Sequence, residues 1–392
     1  MNTLLIVFGK EIREHARDRR TLLTSLLLGP VLGPVFFAFA INLSIERSVG
    51  GGDQTLELPV IGAEHAPNVM RFLHSRRIQP IDGPPNLAAA TRAVTNGAHD
   101  VVLRIPPEFG AQLLKGVSAR IELVSDFANS AAQRDTRRVR EALRDYSREL
   151  ASVRLSARGL SPMLVRPLNV DAIDVSTPSG RSALLLGVLG YFCVLSLLAG
   201  GMNLAIDSTA GERERGSLEP LLALPVSRTA LMLGKIAATC LFMMLALALN
   251  LATFAIALPF VPLAKFGMTP NFGVGTLGFA LLLFLPFSLL GAAMMTLLAS
   301  FTKSFKEAQS WVSILLLAPT LPVLLVSILA LRPRFEFMFI PSLSQHLLLI
   351  ERIKDEPLEP VQLAISMLST LLIGMALTAL CARRYQQEKL LA

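Results

Sequence analysis

Residues 207–228 read DSTAGERERGSLEPLLALPVSR, a charged connector between two long apolar runs. Glutamate and arginine alternate over 212–215, and Gly216 follows them. A short amphipathic piece comes next, with leucines at 218, 221, 222 and 224, and Pro225 ends it. A connector held at both ends by membrane helices is poorly placed to form a domain. We therefore expect it to be a surface that a soluble partner can grip.

The rest of the chain is dominated by apolar runs. Of its 392 residues 52% are hydrophobic and 17% are charged. A bilayer core of about 30 Å needs roughly 20 apolar residues per helix, and six runs qualify: about 21–44, 183–206, 230–258, 274–300, 308–331 and 361–382. The sequence therefore predicts a mainly α-helical membrane protein with six transmembrane helices, the first at 21–44 and the other five within 183–382.

The N-terminal residues 1–20 predict an amphipathic helix. Phe8 and Ile12 fall on one face at helical spacing, whereas Arg13 and Arg17 fall on the other. Such a helix lies in the plane of the membrane interface, with its apolar side toward lipid and its cations toward the headgroups. Membrane lipids are thus expected partners of this segment, although a charged tail that only sets topology is the alternative.

Residues 45–182 differ in character and predict a mixed α/β domain inserted between the first two spans. Short strand-like runs alternate with helical ones, at 56–62, 69–77, 87–96, 101–105, 108–115 and 120–124. A longer helix is expected over 129–158, and it carries eight arginines. A solvated face of charged pairs explains them best, and contact with anionic headgroups or a partner is the other interpretation.

The distribution of Lys and Arg predicts the topology. The chain has a net charge of +8, and Lys and Arg residues recur in the N-terminal segment, the connector 207–228, the connector near Lys303 and the tail 383–392. The positive-inside rule places all four in the cytoplasm, with the 45–182 domain on the opposite side. The connector between the fifth and sixth spans, with Arg352 and Lys354, departs from this trend. Nucleic acid is not expected as a partner, because the basic charge is explained by topology.

Motifs for chemistry are missing from the sequence. There is no nucleotide-binding G-x-x-x-x-G-K-[ST] loop, no H-E-x-x-H or paired-cysteine metal spacing, and no G-x-S-x-G elbow. We expect a non-catalytic chain with no metal site. Asp207 and Lys235 are near the predicted ends of spans, where snorkelling to the interface would explain them.

Neutral polar residues within the spans are the remaining candidates for a substrate path, and they are Asn42, Asn203 and Asn250. Hydrogen bonding between helices is the more frequent role of such residues. Proton- or ion-coupled secondary transport is disfavoured, because the spans carry so few ionisable groups. The chain thus combines an apolar helical bundle with a cytoplasmic connector to which a partner can bind, and it has no energy source of its own. This combination indicates a permease driven by a separate ATPase.

The connector resembles the first cytoplasmic loop of ABC type-2 exporter permeases, and it is most similar to the branch named for the sodium exporter subunit NatB. The resemblance rests on GERERGSLEPLL at 211–222, followed by LPVSR at 224–228. Ser217 stands where threonine is commoner, and Pro220 is a slight departure. The likeness in arrangement extends over nearly the whole chain.

The resemblance implies a subunit of the bacterial cytoplasmic membrane that pairs with a second permease copy, as a homodimer or with a related chain. This pair would be mounted on a cytoplasmic ABC ATPase dimer, which would hold ATP and Mg, so that this chain carries no cofactor. The residues that would couple to the ATPase are Glu212, Arg213, Glu214, Arg215, Gly216, Ser217, Leu218 and Glu219.

The cargo and one other class of function stay open at this level. The resemblance favours sodium, whereas the scarcity of intramembrane carboxylates favours a lipid or drug-like amphiphile. From a different class, the 45–182 domain could bind a partner as a sensor or scaffold and use the bundle as an anchor, although six spans exceed what an anchor needs.

Overall fold

The computed structural model describes residues 3–53, 55–127, 129–161, 163, 177–223, 225–329 and 334–386. The chain forms two compact units. Unit 1 comprises Met1–Ile45 with Asp174–Ala392, and unit 2 comprises Glu46–Ile173.

Unit 1 is a bundle of helices. Before unit 2 come α1 (Thr3–Arg17), α2 (Arg19–Leu23) and α3 (Gly33–Asp53), which continues into unit 2. Unit 2 contains α4 to α7, and the remaining helices of unit 1 are α8 (Pro178–Leu186), α9 (Leu189–Ile206), α10 (Glu212–Glu214), α11 (Leu218–Ala223), α12 (Arg228–Ala257), α13 (Val274–Ala299), α14 (Phe305–Leu315), α15 (Leu317–Leu329), α16 (Leu343–Lys354) and α17 (Pro360–Gln386).

Among the residues that the structure describes, six helical stretches of unit 1 are long and apolar enough to cross a membrane, as the sequence predicts. They are Thr21–Ser44, Leu189–Glu214, Arg228–Phe260, Val274–Ala299, Phe305–Leu329 and Pro360–Gln386, numbered here as spans 1 to 6. Their buried faces form one apolar core, which includes Phe254, Phe284 and Phe287. In this part of the chain the length and composition of the apolar runs decided the architecture.

Span 1 contains an irregularity that its prolines explain. Residues Thr24–Leu32 form a π-helix that includes the buried Pro30. Proline has no N–H to donate and its ring clashes with the preceding turn, so the hydrogen bonding must change around it. The helix of span 1 therefore departs from regular α-helical geometry through a wider turn.

Spans 2 and 3 pack closely because glycine removes side-chain bulk between them. An ideal Cβ on Gly200 would lie 2.3 Å from the Cβ of Ala246. Small residues at such crossings let two helix backbones approach each other, which is the main route to tight packing between membrane helices.

Helix α16 lies between spans 5 and 6. Ser342 begins it with a capping box, in which Gln345 Oε1 accepts a hydrogen bond of 2.7 Å from the Ser342 N–H. Gln345 Nε2 in turn donates to Thr370 Oγ1 of span 6 at 2.8 Å. These buried polar groups are satisfied by one another, which anchors α16 to the bundle.

Unit 2 is built on a four-stranded sheet. Its strands are β1 (Leu56–Ile61), β2 (Ile78–Asp82), β3 (Val101–Arg104) and β4 (Glu122–Ser125), in the spatial order β2-β1-β3-β4. β1 pairs in parallel with β2 and β3, whereas β4 is antiparallel to β3. The mixed α/β character expected from the sequence is seen in these residues.

Strand β2 is missing from the sequence expectation, which placed nothing between a helix and the turn at Asp82. Its sequence IQPID is short and contains Pro80. Proline is tolerated because β2 is an edge strand of the described sheet, where one side needs no partner. Pairing with Leu56–Val60 of β1, rather than local propensity, makes this segment a strand.

The helices of unit 2 cover both faces of the sheet. They are α4 (Pro67–Ser75), α5 (Leu87–Thr95), α6 (Phe109–Leu114) and α7 (Ser130–Ser156). One core joins β1 and β3 to α4, α6 and α7, with Leu58, Leu73 and Val139 fully buried. A smaller cluster joins Val102 to α5. The side of the membrane on which unit 2 lies stays a prediction.

Candidate functional site: the charged connector and its ionic cluster

The connector 207–228 overlaps the last part of span 2 and begins with a π-helical turn, Asp207–Gly211, which is followed by α10. Gly216 has φ +66°, and its N–H donates to Arg213 O at 3.0 Å, while the Ser217 N–H donates to Glu212 O at 3.0 Å. This pair of bonds is a Schellman motif, which needs a residue in the left-handed region where glycine is unstrained. Gly216 therefore ends α10 in a turn that a residue with a side chain would strain.

The Glu212 carboxylate points into the protein. Its Oε2 accepts a 2.6 Å hydrogen bond from Lys235 Nζ, and its Oε1 lies 3.3 Å from Lys10 Nζ. Glu11 completes the group, because its Oε1 lies 3.5 Å from Lys235 and 3.3 Å from Lys10. We call these four residues the ionic cluster. It joins α1, the connector and span 3 with two charges of each sign.

Lys235 corrects the sequence interpretation, which had it snorkelling to the interface. Its residue is 1% exposed, and its ammonium also donates to Ser208 O at 2.7 Å. A buried ammonium needs a charged partner and further hydrogen bonds to offset the loss of hydration. Lys235 has both inside the bundle, so it turns inward and does not reach for the headgroups.

Burial and neighbouring charges shift the pKa values of two members of the cluster. Burial raises the pKa of Glu11 above its usual value, and the ammonium groups of Lys235 and Lys10 only partly oppose this. Burial alone would lower the pKa of Lys10, but the carboxylates of Glu11 and Glu212 outweigh it and raise that pKa. The cluster is therefore held together by charge pairing in a poorly hydrated place.

The next two charges of the connector bind the ends of spans 4 and 5. Arg213 donates to Thr302 O at 3.0 Å and Ser300 O at 3.3 Å, just beyond the end of span 4. A cation there interacts favourably with the exposed carbonyls of a helix C-terminus. Glu214 Oε2 accepts a 2.7 Å hydrogen bond from the Phe305 N–H, at the start of span 5.

Arg215, the last of the four alternating charges, bonds to Asp207 of span 2. Its Nη1 donates to Asp207 Oδ1 at 2.8 Å, and this hydrogen bond raises the pKa of Arg215. The four alternating charges thus contact spans 2 to 5 and α1 in turn. Residues 214–217 stay exposed, whereas Glu212 and Leu218 are buried. Glu219 belongs to α11, and Leu224 lies outside the described residues.

Helix α1 packs against the bundle through part of its apolar stripe. Phe8 and Ile12 contact a cluster formed by Leu204, Ala238 and Phe242 of spans 2 and 3. The most buried residues are Val7, Glu11 and His15, which repeat at four-residue spacing. Burial lowers the pKa of His15, whose ring lies 4.5 Å from that of Phe242.

The outer side of α1 is open, with Arg13 and Arg17 exposed as expected and Leu5 and Ile6 exposed beside them. This arrangement leaves an apolar and a cationic surface free of the bundle. The contact of α1 with lipid stays a prediction.

A polar cleft of 850 Å³ lies beside the connector. Its lining includes Asn203 of span 2 and the Asp207–Arg215 pair, and it also includes Glu14, His15, Asp18, Thr21, Thr24, Ser25, Ala199, Met202, Phe305 and Gln309. The volume falls within the roughly 300–1,000 Å³ range of small-molecule sites. Asn203 is therefore the one candidate path residue that the structure places in a polar opening.

The other two asparagines lie elsewhere. Asn42 lines an apolar cavity of 330 Å³ between spans 1 and 3. Asn250 is fully buried, and its Nδ2 donates to Pro30 O at 3.1 Å and to Ser196 Oγ at 2.9 Å. The helix-to-helix hydrogen bond that the sequence favoured is confirmed for Asn250, which satisfies a carbonyl inside the π-helix of span 1. The three residues do not form one continuous path.

Sequence reasoning missed Glu11 and Lys235 as members of the site. The burial of Glu11 could have been predicted, because it lies between Val7 and His15 on one face of α1 at four-residue spacing. The partner was not predictable, since Lys10 and Glu212 are 202 residues apart in sequence. Among the described residues, no group of three or more His, Cys, Asp or Glu side chains could hold a metal ion.

The six-span bundle and the connector 207–228 define a membrane-embedded, multi-pass protein. The model of the family described as "ABC-2 family transporter protein" matches residues 19–383. The chain belongs to this family, and permease subunits of this kind are generally non-catalytic.

The chain is also similar to a characterised relative. It is 26% identical over 334 residues to the protein named "ABC transporter permease protein NatB" from Bacillus subtilis (strain 168), an alignment that covers 82% of this chain and 81% of that protein. The predicted resemblance to ABC type-2 permeases is thereby confirmed.

Proposed function

We propose that this chain is the permease subunit of an ATP-driven exporter, and that a separate ABC ATPase dimer docks on the exposed tip of the connector, residues 214–217. The observation that carries the proposal is the set of contacts behind this tip. Each charge of the alternating series contacts a different element of the bundle. A displacement of the tip by the ATPase would therefore be transmitted to several spans together.

The ionic cluster supplies the link to α1 and span 3. Glu212 is buried behind the tip and bonds to Lys235 of span 3 and Lys10 of α1. Because short, charge-assisted hydrogen bonds resist separation in a poorly hydrated place, displacement of α10 would move α1 and span 3 with it. In this scheme Glu212 positions the connector, and the exposed residues meet the ATPase.

For the cargo, we propose an amphiphile taken up through the polar cleft next to Asn203. The cleft combines carboxylates and hydroxyls with Met202 and Phe305, and its 850 Å³ far exceed the space that one metal ion needs. Sodium, which the resemblance favours, would need several oxygen ligands in a tight shell. The Asn250 Oδ1, one candidate ligand, is fully buried and faces the thiol of Cys193 at 3.9 Å, while its Nδ2 donates to Pro30 and Ser196.

We propose that the pump lies in the bacterial cytoplasmic membrane, with both termini in the cytoplasm. We also propose a homodimer as the working unit, because ABC permeases of this family act in pairs on an ATPase dimer. Family membership argues against the alternative of a sensor or scaffold that uses six spans only as an anchor.

The test is assembly with the ATPase. The tagged chain is purified in mild detergent from its own cells, which supply their ABC ATPases, and retained ATPase protein and ATP hydrolysis are measured. We expect stoichiometric retention, and no hydrolysis by the chain alone. Retention of no ATPase, or robust hydrolysis by the isolated chain, would refute the proposed division of labour.

A variant pair locates the contact. Ser217→Trp adds bulk to the exposed tip and should reduce retained ATPase at least tenfold while the bundle stays folded. Arg383→Trp makes the same kind of change at an exposed residue of span 6 and should leave retention unchanged. Equal retention by both variants would show that the connector tip is not the docking surface.

A further inference from the structure

A groove in unit 2 has no part in the proposed coupling or cargo cleft. It has a volume of 430 Å³ and lies between α7 and the segment that leads from α6 to β4. Its apolar wall comes from both sides and consists of Leu113, Val117, Ile121, Leu143 and Leu150. Val117 is 52% exposed, so apolar surface reaches the mouth of the groove.

Two arginines stand at one end of this groove. Arg154 Nη2 donates to Leu113 O at 2.7 Å, which holds the guanidinium against the wall and leaves its other N–H groups available. Arg158 Nη2 lies near Gly116, since an ideal Cβ on that glycine would be 3.7 Å away. Both cations therefore flank the same stretch of the opposite wall, Leu113–Gly116.

The acidic residues nearest in sequence are engaged elsewhere. Asp145 pairs with Arg148, and Glu149 lies 3.6 Å from Arg76. On the opposite wall, Glu122 pairs with Arg104 at 2.6 Å and with Arg120 at 3.2 Å, in the sheet. Among the described residues, no carboxylate lies within 4.0 Å of either groove arginine, so this end of the groove is positive.

We propose that this groove binds a single-chain carboxylate amphiphile, with its acyl chain along the apolar wall and its carboxylate on Arg154 and Arg158. A planar guanidinium matches a carboxylate in geometry and can donate two parallel hydrogen bonds. The volume suits one chain and not a two-chain lipid, and it is within the roughly 300–1,000 Å³ of small-molecule sites. Each buried methylene should raise affinity about fourfold.

Photolabelling of the full-length chain in zwitterionic phosphatidylcholine nanodiscs tests this site without any ATPase. The probe is dodecanoate with a diazirine near the end of its chain, and peptide mass spectrometry maps the adducts. We expect labelling within 109–121 and 143–158, displaced by unlabelled dodecanoate but not by acetate or dodecyltrimethylammonium. Equal displacement by the cationic amphiphile, or labelling confined to the spans, would overturn the proposal.

Substitutions of the two arginines test whether binding of the carboxylate depends on their charge. R158Q alters a side chain that makes no hydrogen bond to any other described residue, and it should reduce labelling about tenfold or more, as for the loss of a charge-assisted bond. R154Q/R158Q should reduce it further. R137Q/R144Q removes the same charge from exposed positions of α7 outside the groove and should change nothing.

V117D gives an independent check, because it places an anion at the half-exposed mouth and should abolish labelling. If R158Q and V117D label like wild type, or if R137Q/R144Q loses as much as R154Q/R158Q, the site is refuted. The measurement involves neither ATP hydrolysis nor transport, so its outcome is separate from that of the permease proposal.

Discussion

Replacing Lys235 by methionine should test the ionic cluster most directly. Lys235 Nζ lies 2.6 Å from Glu212 Oε2 and 3.5 Å from Glu11 Oε1. At an effective dielectric constant near 20, the first contact alone corresponds to about 6 kcal/mol of attraction, which the desolvation of both ions largely offsets. Removing Lys235 leaves two buried carboxylates, Glu11 and Glu212, which must share Lys10, and the loss of one partner from a buried pair costs about 3–5 kcal/mol.

The expected loss is therefore about 3–5 kcal/mol in the free energy of unfolding, measured in detergent micelles by SDS titration with far-ultraviolet circular dichroism. Lys303→Met removes the same charge from an exposed connector position and should change it by about 0–1 kcal/mol. The double variant E212Q/K235M should recover most of the loss, because Glu11 then faces only Lys10.

Two outcomes would contradict this account of the cluster. K235M could prove no more destabilising than Lys303→Met, in which case the buried ammonium is not held by its carboxylates. Alternatively, the double variant could lose the sum of the single losses, which would mean that Lys235 and Glu212 act independently despite their short contact.

Three further predictions concern neighbouring residues. Burial lowers the folded-state pKa of His15, so the stability of the fold should decrease as the pH drops below about 6.5. His15→Phe should reduce this pH dependence in thermal unfolding measured at several pH values. An unchanged pH dependence would contradict the prediction. Asn250→Leu leaves the Pro30 carbonyl without its donor and should cost about 1–3 kcal/mol in SDS titration; no loss would mean the bond is dispensable. Gly200→Ala should lower the melting temperature through its 2.3 Å approach to Ala246, whereas Gly278→Ala, which meets nothing within 4 Å, should not; equal shifts would contradict close packing.

The amino-acid sequence by itself determined the six spans and the place of the charged connector. Apolar runs of about 20 residues have no stable alternative to a helix in lipid, because every backbone polar group must be satisfied within the segment. The turn at Gly216 was predictable for the same local reason, since a left-handed residue needs glycine. Most elements of unit 2 followed from alternating patterns, but edge strand β2 depended on its pairing with β1.

Only the tertiary structure decided which way the charges of the connector face. From sequence, Glu212 and Glu214 are equivalent members of an alternating run, yet Glu212 is buried on Lys235 and Glu214 is exposed at the start of span 5. Lys235 could equally have snorkelled toward the interface. Partners distant in sequence determine that Glu212 and Lys235 face inward. The stability of a buried charge depends on the atoms packed around it and not on its neighbours along the chain.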